Sequence, residues 1–168
     1  MADGPPRARV SAGILLFRQT AGGIEVLLGH PGGPYFEHRE TGIWSIPKGE
    51  VEDGEDLWSV ARREFGEETG HVLGSAARTI ELGSVTQRGG KVVHAWAVEG
   101  DLDTSRMRSN LVEVKFPFFA KREWPEVDQW RYFGPDEVTR RMKDTQLPLL
   151  DRLEQALARS AGRGATGA

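Results

Sequence analysis

Four glutamates at helical spacing are the residues of this sequence with the clearest capacity for chemistry. Glu55 precedes a predicted helix in segment 49–70, GEVEDGEDLWSVARREFGEETG, and Glu64, Glu67 and Glu68 lie within it. Because a helix turns by about 100° per residue, Glu64 and Glu68 are about 40° apart around its axis, with Glu67 beside them. Carboxylates at this spacing repel one another by about 0.2–0.5 kcal/mol per pair. Mg²⁺ and Mn²⁺ prefer oxygen ligands, so this face predicts either a divalent-metal site or a solvated acidic surface.

The helix that presents these carboxylates is predicted to cover residues 56–69 and to end at Gly70, within a strand–loop–helix unit. Short apolar runs or alternating patterns predict strands at residues 10–17, 24–28, 43–46, 79–87, 91–98, 113–119 and 129–133. Further helices are predicted at 135–142 and 146–158, and irregular loops at 30–42, 101–110 and 124–128. Strands and helices mix without strict alternation, which predicts an α/β (α+β) fold, a mixed β-sheet with helices packed on it.

Length and composition limit the class of protein. The chain has 168 residues, 25 acidic against 22 basic side chains, a net charge of −3 and no cysteine. We expect one domain over residues 7–159 between flexible tails at 1–6 and 160–168, without cysteine nucleophiles or cysteine-bound zinc. The net charge argues against nucleic acid as the main partner. No apolar run is long enough for a membrane span or a signal peptide, which predicts a cytoplasmic protein without a membrane partner.

The spacing of the charged residues in segment 49–70 resembles the Nudix box. The matching positions are Gly49, Glu55, Arg63, Glu64, Phe65, Glu67, Glu68 and Gly70. His71 follows where the family usually has an aliphatic residue. The stretch before the box, WSIPKG from Trp44 to Gly49, is also similar to the entry strand of this family. The chain is therefore identified as a member of the Nudix hydrolases.

The resemblance implies a fold and an activity. The fold is an α/β/α sandwich with a mixed sheet and a loop–helix–loop box. The activity is hydrolysis, with Mg²⁺ or Mn²⁺ as cofactor, of a phosphoanhydride bond in a nucleoside diphosphate linked to another moiety. Carried over to this sequence, the metal ligands are Glu64, Glu67, Glu68 and the backbone carbonyl of Gly49. The resemblance further implies an orienting ion pair between Arg63 and Glu55, and a phosphate contact from Lys48.

The general base is open between two glutamates. Members of the family use either the box residue that corresponds to Glu64 or a glutamate on a later loop. Glu126, in the segment WPEVDQW at 124–130, is the candidate of the second kind. Its expected role is metal binding or proton transfer, and the alternative is an ordinary surface glutamate.

Segments outside the box are similar to those of diadenosine tetraphosphate hydrolases and other dinucleoside polyphosphate hydrolases. They cover residues 11–18, 44–49, 91–96 and 126–134, and they make a dinucleoside polyphosphate the first substrate hypothesis. Adenine needs flat apolar partners, and a polyphosphate needs cations. The aromatic candidates are Trp130, Trp124, Tyr35, Phe118 and Phe119, and the cationic candidates are Lys48, Lys91, Lys121, Arg122 and Arg131. Aromatic residues on strands are often core residues, so Trp130 is predicted to be either a stacking platform or part of the core.

Other functions stay open at this point. Within the enzyme class, the substrate could instead be a nucleoside triphosphate, ADP-ribose, a dinucleotide cofactor or a diphosphoinositol polyphosphate. A module that senses nucleotides without catalysis is the alternative from another class. Such modules typically lack box carboxylates, and none is missing here. The expected partner is a small nucleotide, and the sequence predicts no particular oligomeric state.

Overall fold

A computed structural model describes residues 8–114 and 122–164 of the chain. Within these ranges the strands are Val10–Thr20 (β1), Gly23–Pro31 (β2), Lys48–Glu50 (β3), Thr79–Thr86 (β4), Val92–Glu99 (β5), Leu111–Val114 (β6), Arg122–Pro125 (β7) and Val127–Phe133 (β8). The α-helices are Leu57–Thr69 (α1), Pro135–Arg141 (α2) and Leu147–Gly164 (α3). Short 3₁₀ helices at Thr104–Arg106 and Asp144–Gln146 lie in connecting segments.

Strand β1 is the centre of a mixed six-stranded sheet. It pairs in parallel with β5 and antiparallel with β3 and β2, which follow one another along its other edge. The strand order is β4, β5, β1, β2, β8, with β3 paired to β1. Strands β6 and β7 form a separate two-stranded sheet. The glycine pairs Gly22-Gly23 and Gly89-Gly90 lie at the turns of two antiparallel hairpins, β1–β2 and β4–β5.

Both faces of the sheet are buried, because successive side chains of β1 enter two different cores. Ala12, Ile14 and Leu16 pack on the side of α1, whereas Leu15 and Phe17 pack on the side of α2 and α3. A strand buried on both faces reads as a continuous apolar run, which is what this strand has. Helices therefore cover both faces, and the predicted α/β/α sandwich with a mixed sheet is confirmed.

Helix α1 begins and ends where its sequence predicts. The Asp56 carboxylate accepts hydrogen bonds from the backbone N–H of Ser59 at 2.9 Å and from its hydroxyl at 2.8 Å. Gly70 ends the helix in the left-handed conformation, with φ at 75°, and its N–H donates to the carbonyl of Gly66 at 2.8 Å. Fully buried Phe65 anchors the helix on the sheet, which fixes the direction of the glutamates on the neighbouring faces.

The strand predicted at 43–46, just before the box, is wrong. These residues make only the isolated bridges Gly29↔Ser45 and Trp44↔Met142, and the strand of this region is β3, further along the chain. β3 has glycine and charged residues, which disfavour a strand. It forms because its backbone completes the edge of β1 left open before the pairing with β2 begins.

The loop predicted at 124–128 is also wrong, because most of it belongs to β7 and β8. Glu126 alone lies at the bend between these strands. Pro125 is tolerated because it is the last residue of β7 in a two-stranded sheet, opposite Leu111. The strand predicted at 113–119 is observed as β6, which begins earlier, and its residues from 115 onward lie outside the described ranges.

Helix α3 is longer than predicted, since it continues past residue 158 to Gly164 and enters the segment predicted as a tail. Within this extension the Ser160 hydroxyl donates to the Ala156 carbonyl at 3.1 Å. Arg159 and Ala161 favour helix, whereas Gly162 and Gly164 do not, so the extension ends within this glycine-containing stretch. The predicted tail at 1–6 lies outside the described residues. In the described part of the chain, none of the helices has the length and apolar character needed to cross a membrane.

Candidate active site

Glu68 is the most buried carboxylate of the box. It lies on the side of α1 that meets the sheet, and the residue is 5% exposed. Its pKa is raised to about 8, first by burial and then by the negative charges of Glu126 and Glu64, against the opposing charge of Lys48. Glu68 therefore lies within electrostatic reach of two other carboxylates and one amine.

Glu64 lies one turn earlier in α1, half-buried against the backbone of β3. A Cβ atom at residue 49 would overlap the Glu64 carboxylate, so Gly49 is required for this close approach. Burial is the main cause of a raised pKa at Glu64. A hydrogen bond from the Arg63 guanidinium, at 3.3 Å, opposes the rise, and the charges of Glu67 and Glu126 add to it.

Arg63 connects the helix to the loop that precedes it. Its Nη1 donates to Glu55 at 2.6 Å, and Glu55 also accepts from the backbone N–H of Glu52 at 2.9 Å. The bond from Arg63 is the main reason that the pKa of Glu55 is lowered. The guanidinium also lies 3.8 Å from the side chain of Glu67, which is 51% exposed. The predicted ion pair is thus formed, and Glu67 is at the solvent edge of the group.

Glu126 approaches the box from the bend between β7 and β8. Its N–H donates to the carbonyl of Asn110, and its own carbonyl accepts from the N–H of Gly32, both at 2.9 Å. These bonds fix the bend, and the half-buried Glu126 carboxylate raises the pKa of both Glu64 and Glu68. The structure therefore brings the late glutamate to the box. We call Glu64, Glu68 and Glu126 the acidic cluster.

The acidic cluster has the chemistry of a divalent-cation site. Its donors are carboxylate oxygens, which Mg²⁺ and Mn²⁺ accept, and like charges crowd Glu64 and Glu68 in a way that a cation would relieve. Across residues 8–114 and 122–164, no three acidic or histidine side chains already converge on one point as metal ligands do. Glu67 is engaged with Arg63, so a complete ligand set requires side chains to turn toward the ion.

Three lysines from separate elements lie close to one another, and one of them, Lys48, interacts electrostatically with all three carboxylates of the acidic cluster. Lys48 is on β3, Lys91 directly precedes β5, and Lys143 follows α2. The pKa of Lys143 is lowered to about 8, first by burial and then by the charges of Lys48 and Lys91. The pKa of Lys48 is also lowered, mainly by burial, while Glu68 opposes the shift and Lys91 adds to it. We call Lys48, Lys91 and Lys143 the lysine cluster.

Sequence reasoning identified two members of the lysine cluster and missed the third. Lys48 and Lys91 were identified through their place beside the box and in a segment similar to the family. Lys143 has no motif around it, and it reaches the cluster because the chain segment after α2 returns to the bridge at Trp44. No regular spacing in the sequence connects Lys143 with Trp44.

The aromatic residues predicted to bind the base lie in different surroundings. Trp130 is 7% exposed and belongs to the core between the sheet and α1, which fits the alternative of a core side chain. Trp124 is half-buried on β7, paired with Val112 of β6. Tyr35 is 59% exposed on the loop after β2, where its neighbour Phe36 instead lines a cavity beside Lys143.

The remaining predicted cations and aromatics are spread over the chain. The Arg131 guanidinium lies 4.8 Å above the Phe133 ring and 3.8 Å from Glu137, and it lines a pocket with Arg18, apart from the lysine cluster. Arg122 is exposed on β7. The predictions for Phe118, Phe119 and Lys121 fall outside the described residues.

Comparison with known proteins places the chain in a family. Residues 7–153, which include both clusters, match the model of the NUDIX domain family. The chain therefore belongs to the Nudix hydrolases, as its box predicts.

Curated relatives match parts of the chain. Nudix hydrolase 25 of Arabidopsis thaliana is 26% identical over 121 residues, which are 67% of this chain and 69% of that protein. The RNA pyrophosphohydrolase of Rhodopseudomonas palustris (strain HaA2) is 38% identical over 58 residues, 34% of this chain. The match spans only 28% of that protein's length.

Solved structures share the fold over most of the chain. A C. elegans Ap4A hydrolase binary complex has a TM-score of 0.64 at 22% identity, covering 88% of this chain and 98% of that one. The NUDIX domain of Shewanella oneidensis NrtR, complexed with ADP ribose, has a TM-score of 0.63 at 15% identity, covering 92% and 94%. At these identities the likeness shows the fold.

Proposed function

We propose that this Nudix hydrolase cuts a phosphoanhydride bond of a dinucleoside polyphosphate, with Mg²⁺ or Mn²⁺ at the acidic cluster. The observation that carries the proposal is the electrostatic proximity of the two clusters, since the charges of Glu68 and of Lys91 both act on Lys48. A polyphosphate that binds a divalent cation near one end has the complementary charges. The cation would face the carboxylates, and the phosphates would face the lysines. The likeness to an Ap4A hydrolase supports the same substrate class.

The acidic cluster would hold the metal. Glu64, Glu68 and Glu126 supply carboxylates, and Glu67 and the carbonyl of Gly49 are further oxygen ligands. When bound, the metal neutralises phosphate charge and lowers the pKa of a bound water. Arg63 holds the Glu64 carboxylate at 3.3 Å and ties the helix to the preceding loop through Glu55, so it acts as a positioning residue.

The remaining residues bind the substrate and move a proton. Lys48 and Lys91 donate N–H groups to the non-bridging oxygens of the phosphates. Water attacks one phosphorus atom, the bond from that phosphorus to the bridging oxygen breaks, and the released phosphate keeps the bonding electron pair. The proton of the water passes to Glu64 or Glu126. Glu64→Gln and Glu126→Gln variants distinguish these bases, because only loss of the base removes the acidic limb of the pH–rate profile.

The experiment that tests the function is product analysis by chromatography. The purified protein is incubated with diadenosine polyphosphates, normal and damaged nucleoside triphosphates, ADP-ribose and NADH, each with Mg²⁺ and with chelator. We expect metal-dependent conversion of diadenosine tetraphosphate to ATP and AMP, faster than turnover of any other compound. No turnover of any compound would favour a nucleotide-sensing module, and faster turnover of another compound would replace the substrate.

A second candidate substrate is the 5′-triphosphate end of RNA. It is favoured by one observation, the 38% identity to an RNA pyrophosphohydrolase over 58 residues. A short 5′-triphosphorylated RNA therefore joins the panel, and release of pyrophosphate from it at the highest rate would select this function. We propose that the protein acts in the cytoplasm.

A further inference from the structure

A cavity of about 620 Å³ lies beyond the lysine cluster, on the side away from the acidic cluster's helix. Its walls come from the loop after β2, the turn between β4 and β5, the end of α2 and the segment that follows it. The side chains that matter here are Phe36, Arg39, Gln87, Arg88, Arg140 and Lys143. Four of these six are cationic and the lining contains one acidic residue, Asp144, so its net charge is positive and suits an anion.

Lys143 lines this cavity, and backbone pairing fixes its position. Its N–H donates to the carbonyl of Trp44 at 2.9 Å, and Met142 pairs with Trp44 in a bridge. Trp44 belongs to the stretch that leads directly to Lys48. The Lys143 ammonium is half-buried and lies close enough to Lys48 and Lys91 to feel both charges. It therefore connects Lys48 and Lys91 with the cavity.

Gln87 lines the same cavity and supplies a second hydrogen-bond donor. Its backbone N–H is bound to the carbonyl of Lys91 at 2.7 Å, which fixes the residue at the turn. Its side-chain nitrogen is buried and has no hydrogen-bond partner in the part of the chain that the structure describes. A buried amide without a partner costs free energy, and a ligand oxygen would supply the missing acceptor. Arg88 beside it is held by Asp144 at 2.6 Å.

We propose that Lys143 and Gln87 form a second phosphate subsite, which binds the phosphates of the substrate that lie beyond the bond that is cut. This proposal rests on the proposed function and deepens it. Lysine and amide N–H groups donate hydrogen bonds, and phosphate oxygens accept them. The one acidic residue of the lining, Asp144, is paired with Arg88. Lys48 and Lys91 bind the phosphates next to the metal, and Lys143 binds those further along the chain.

Selectivity for chain length follows from this arrangement. A short polyphosphate ends before it reaches Lys143, whereas a longer one gains its charge-assisted bonds. Diadenosine tetraphosphate and pentaphosphate are therefore expected to have a lower KM than diadenosine triphosphate. The turnover number is set at the acidic cluster and is expected to change little with chain length.

The test compares Lys143→Met with Lys143→Arg, Gln87→Leu and the control Arg159→Met. The control removes one positive charge from the exposed end of α3. Steady-state kinetics on the three diadenosine polyphosphates in Mg²⁺ give KM and kcat. For the two longer substrates we expect Lys143→Met to raise KM about tenfold and Gln87→Leu about threefold, with kcat within about twofold. Lys143→Arg keeps the charge and should stay close to the wild type.

A binding measurement without turnover separates this proposal from the proposed function. Inorganic tripolyphosphate is titrated calorimetrically into each protein in chelator, and Lys143→Met should weaken its binding about tenfold. If the wild type hydrolyses none of the three substrates but shows this loss, the subsite stands and the proposed substrate is wrong. If it hydrolyses them and Lys143→Met changes neither KM nor tripolyphosphate binding, the subsite is wrong and the function stands. No binding and no turnover would overturn both.

Discussion

The acidic cluster and the lysine cluster show the same electrostatic behaviour with opposite sign. Glu68 is a buried acid whose pKa is raised to about 8, and Lys143 is a half-buried base whose pKa is lowered to about 8. In both cases burial is the first cause and neighbours of like charge are the second. Within each cluster, side chains of like charge repel one another when no ligand is bound. A ligand that carries a cation at one end and phosphates at the other would relieve both at once.

The two clusters differ in how the chain builds them. Glu64 and Glu68 lie one turn apart on α1, so the helix fixes their separation. Glu126, at the bend between β7 and β8, completes the group. The lysines come from a short strand, a turn and a segment after a helix, so tertiary packing alone fixes their separation. We therefore expect substitutions in the acidic cluster to act on kcat, and substitutions in the lysine cluster to act on KM.

Glu68→Gln has the largest expected effect. The amide keeps the size of the side chain but removes one charge from the metal site, so we expect kcat to fall at least about a hundredfold. Turnover of diadenosine tetraphosphate measures this, and a thermal melt shows that the fold is kept. Glu81→Gln, on an exposed position of β4, is the matched control and should change neither. Parallel loss of activity and thermal stability would assign Glu68 a structural role instead.

Gly49→Ala should have the next largest effect. The added methyl group overlaps the Glu64 carboxylate, which must move away from the metal site. We expect a fall in kcat of about thirtyfold, with a smaller change in KM. Gly66→Ala is the control, because a Cβ there meets only the carbonyl of His71 at 3.7 Å and should raise stability by up to about 1 kcal/mol. Equal kcat for both variants would show that Glu64 tolerates displacement.

Arg63→Lys should reduce kcat by about tenfold, because an ammonium cannot hold Glu55 and Glu64 in the geometry of a guanidinium. The KM for diadenosine tetraphosphate should stay close to the wild-type value. Arg62→Lys, one position earlier on the same helix, contacts the carbonyl of Leu73 and should leave kcat unchanged. A rise in KM alone would show that Arg63 binds substrate and does not position the acidic cluster.

The smallest expected effect is a pH dependence of stability. The folded-state pKa of Glu68, about 8, lies above the ordinary value of 4.5, so the folded protein retains a proton that the unfolded chain loses. In chelator, the free energy of unfolding should therefore fall as the pH rises from 4.5 to 8. The Glu68→Gln variant lacks this loss and should exceed the wild type by at least about 1 kcal/mol at pH 8. Denaturant titrations at several pH values measure the difference, and parallel curves would contradict the pKa.

The fold and the helix of the site could be predicted from the sequence because their signals are local. Asp56 and Gly70 mark the ends of α1, and the continuous apolar run of β1 indicates a strand buried on both faces. The strand β3 could not be predicted, since its residues favour a loop and only the open edge of β1 recruits them. Long-range pairing outweighs local propensity there.

The residues of the candidate site also divide into those that local signals predict and those that depend on long-range packing. The carboxylates of α1 and their partner Arg63 follow from helical spacing and from the resemblance to the Nudix box. Trp130 carried no signal that distinguishes a stacking platform from a core residue, and the structure places it in the core. Lys143 carried no signal at all, because its position depends on how the segment after α2 returns to the sheet.

The bridge between Trp44 and Met142 would set the length of phosphate chain that the proposed subsite accepts. It joins the stretch that carries Lys48 to the stretch that carries Lys143, so backbone pairing fixes how far apart the two amines begin. The two amines would then contact phosphates at a separation that backbone pairing sets. An insertion between Trp44 and Lys48 would therefore change the separation of the two amines, and it would also shift Gly49 against Glu64.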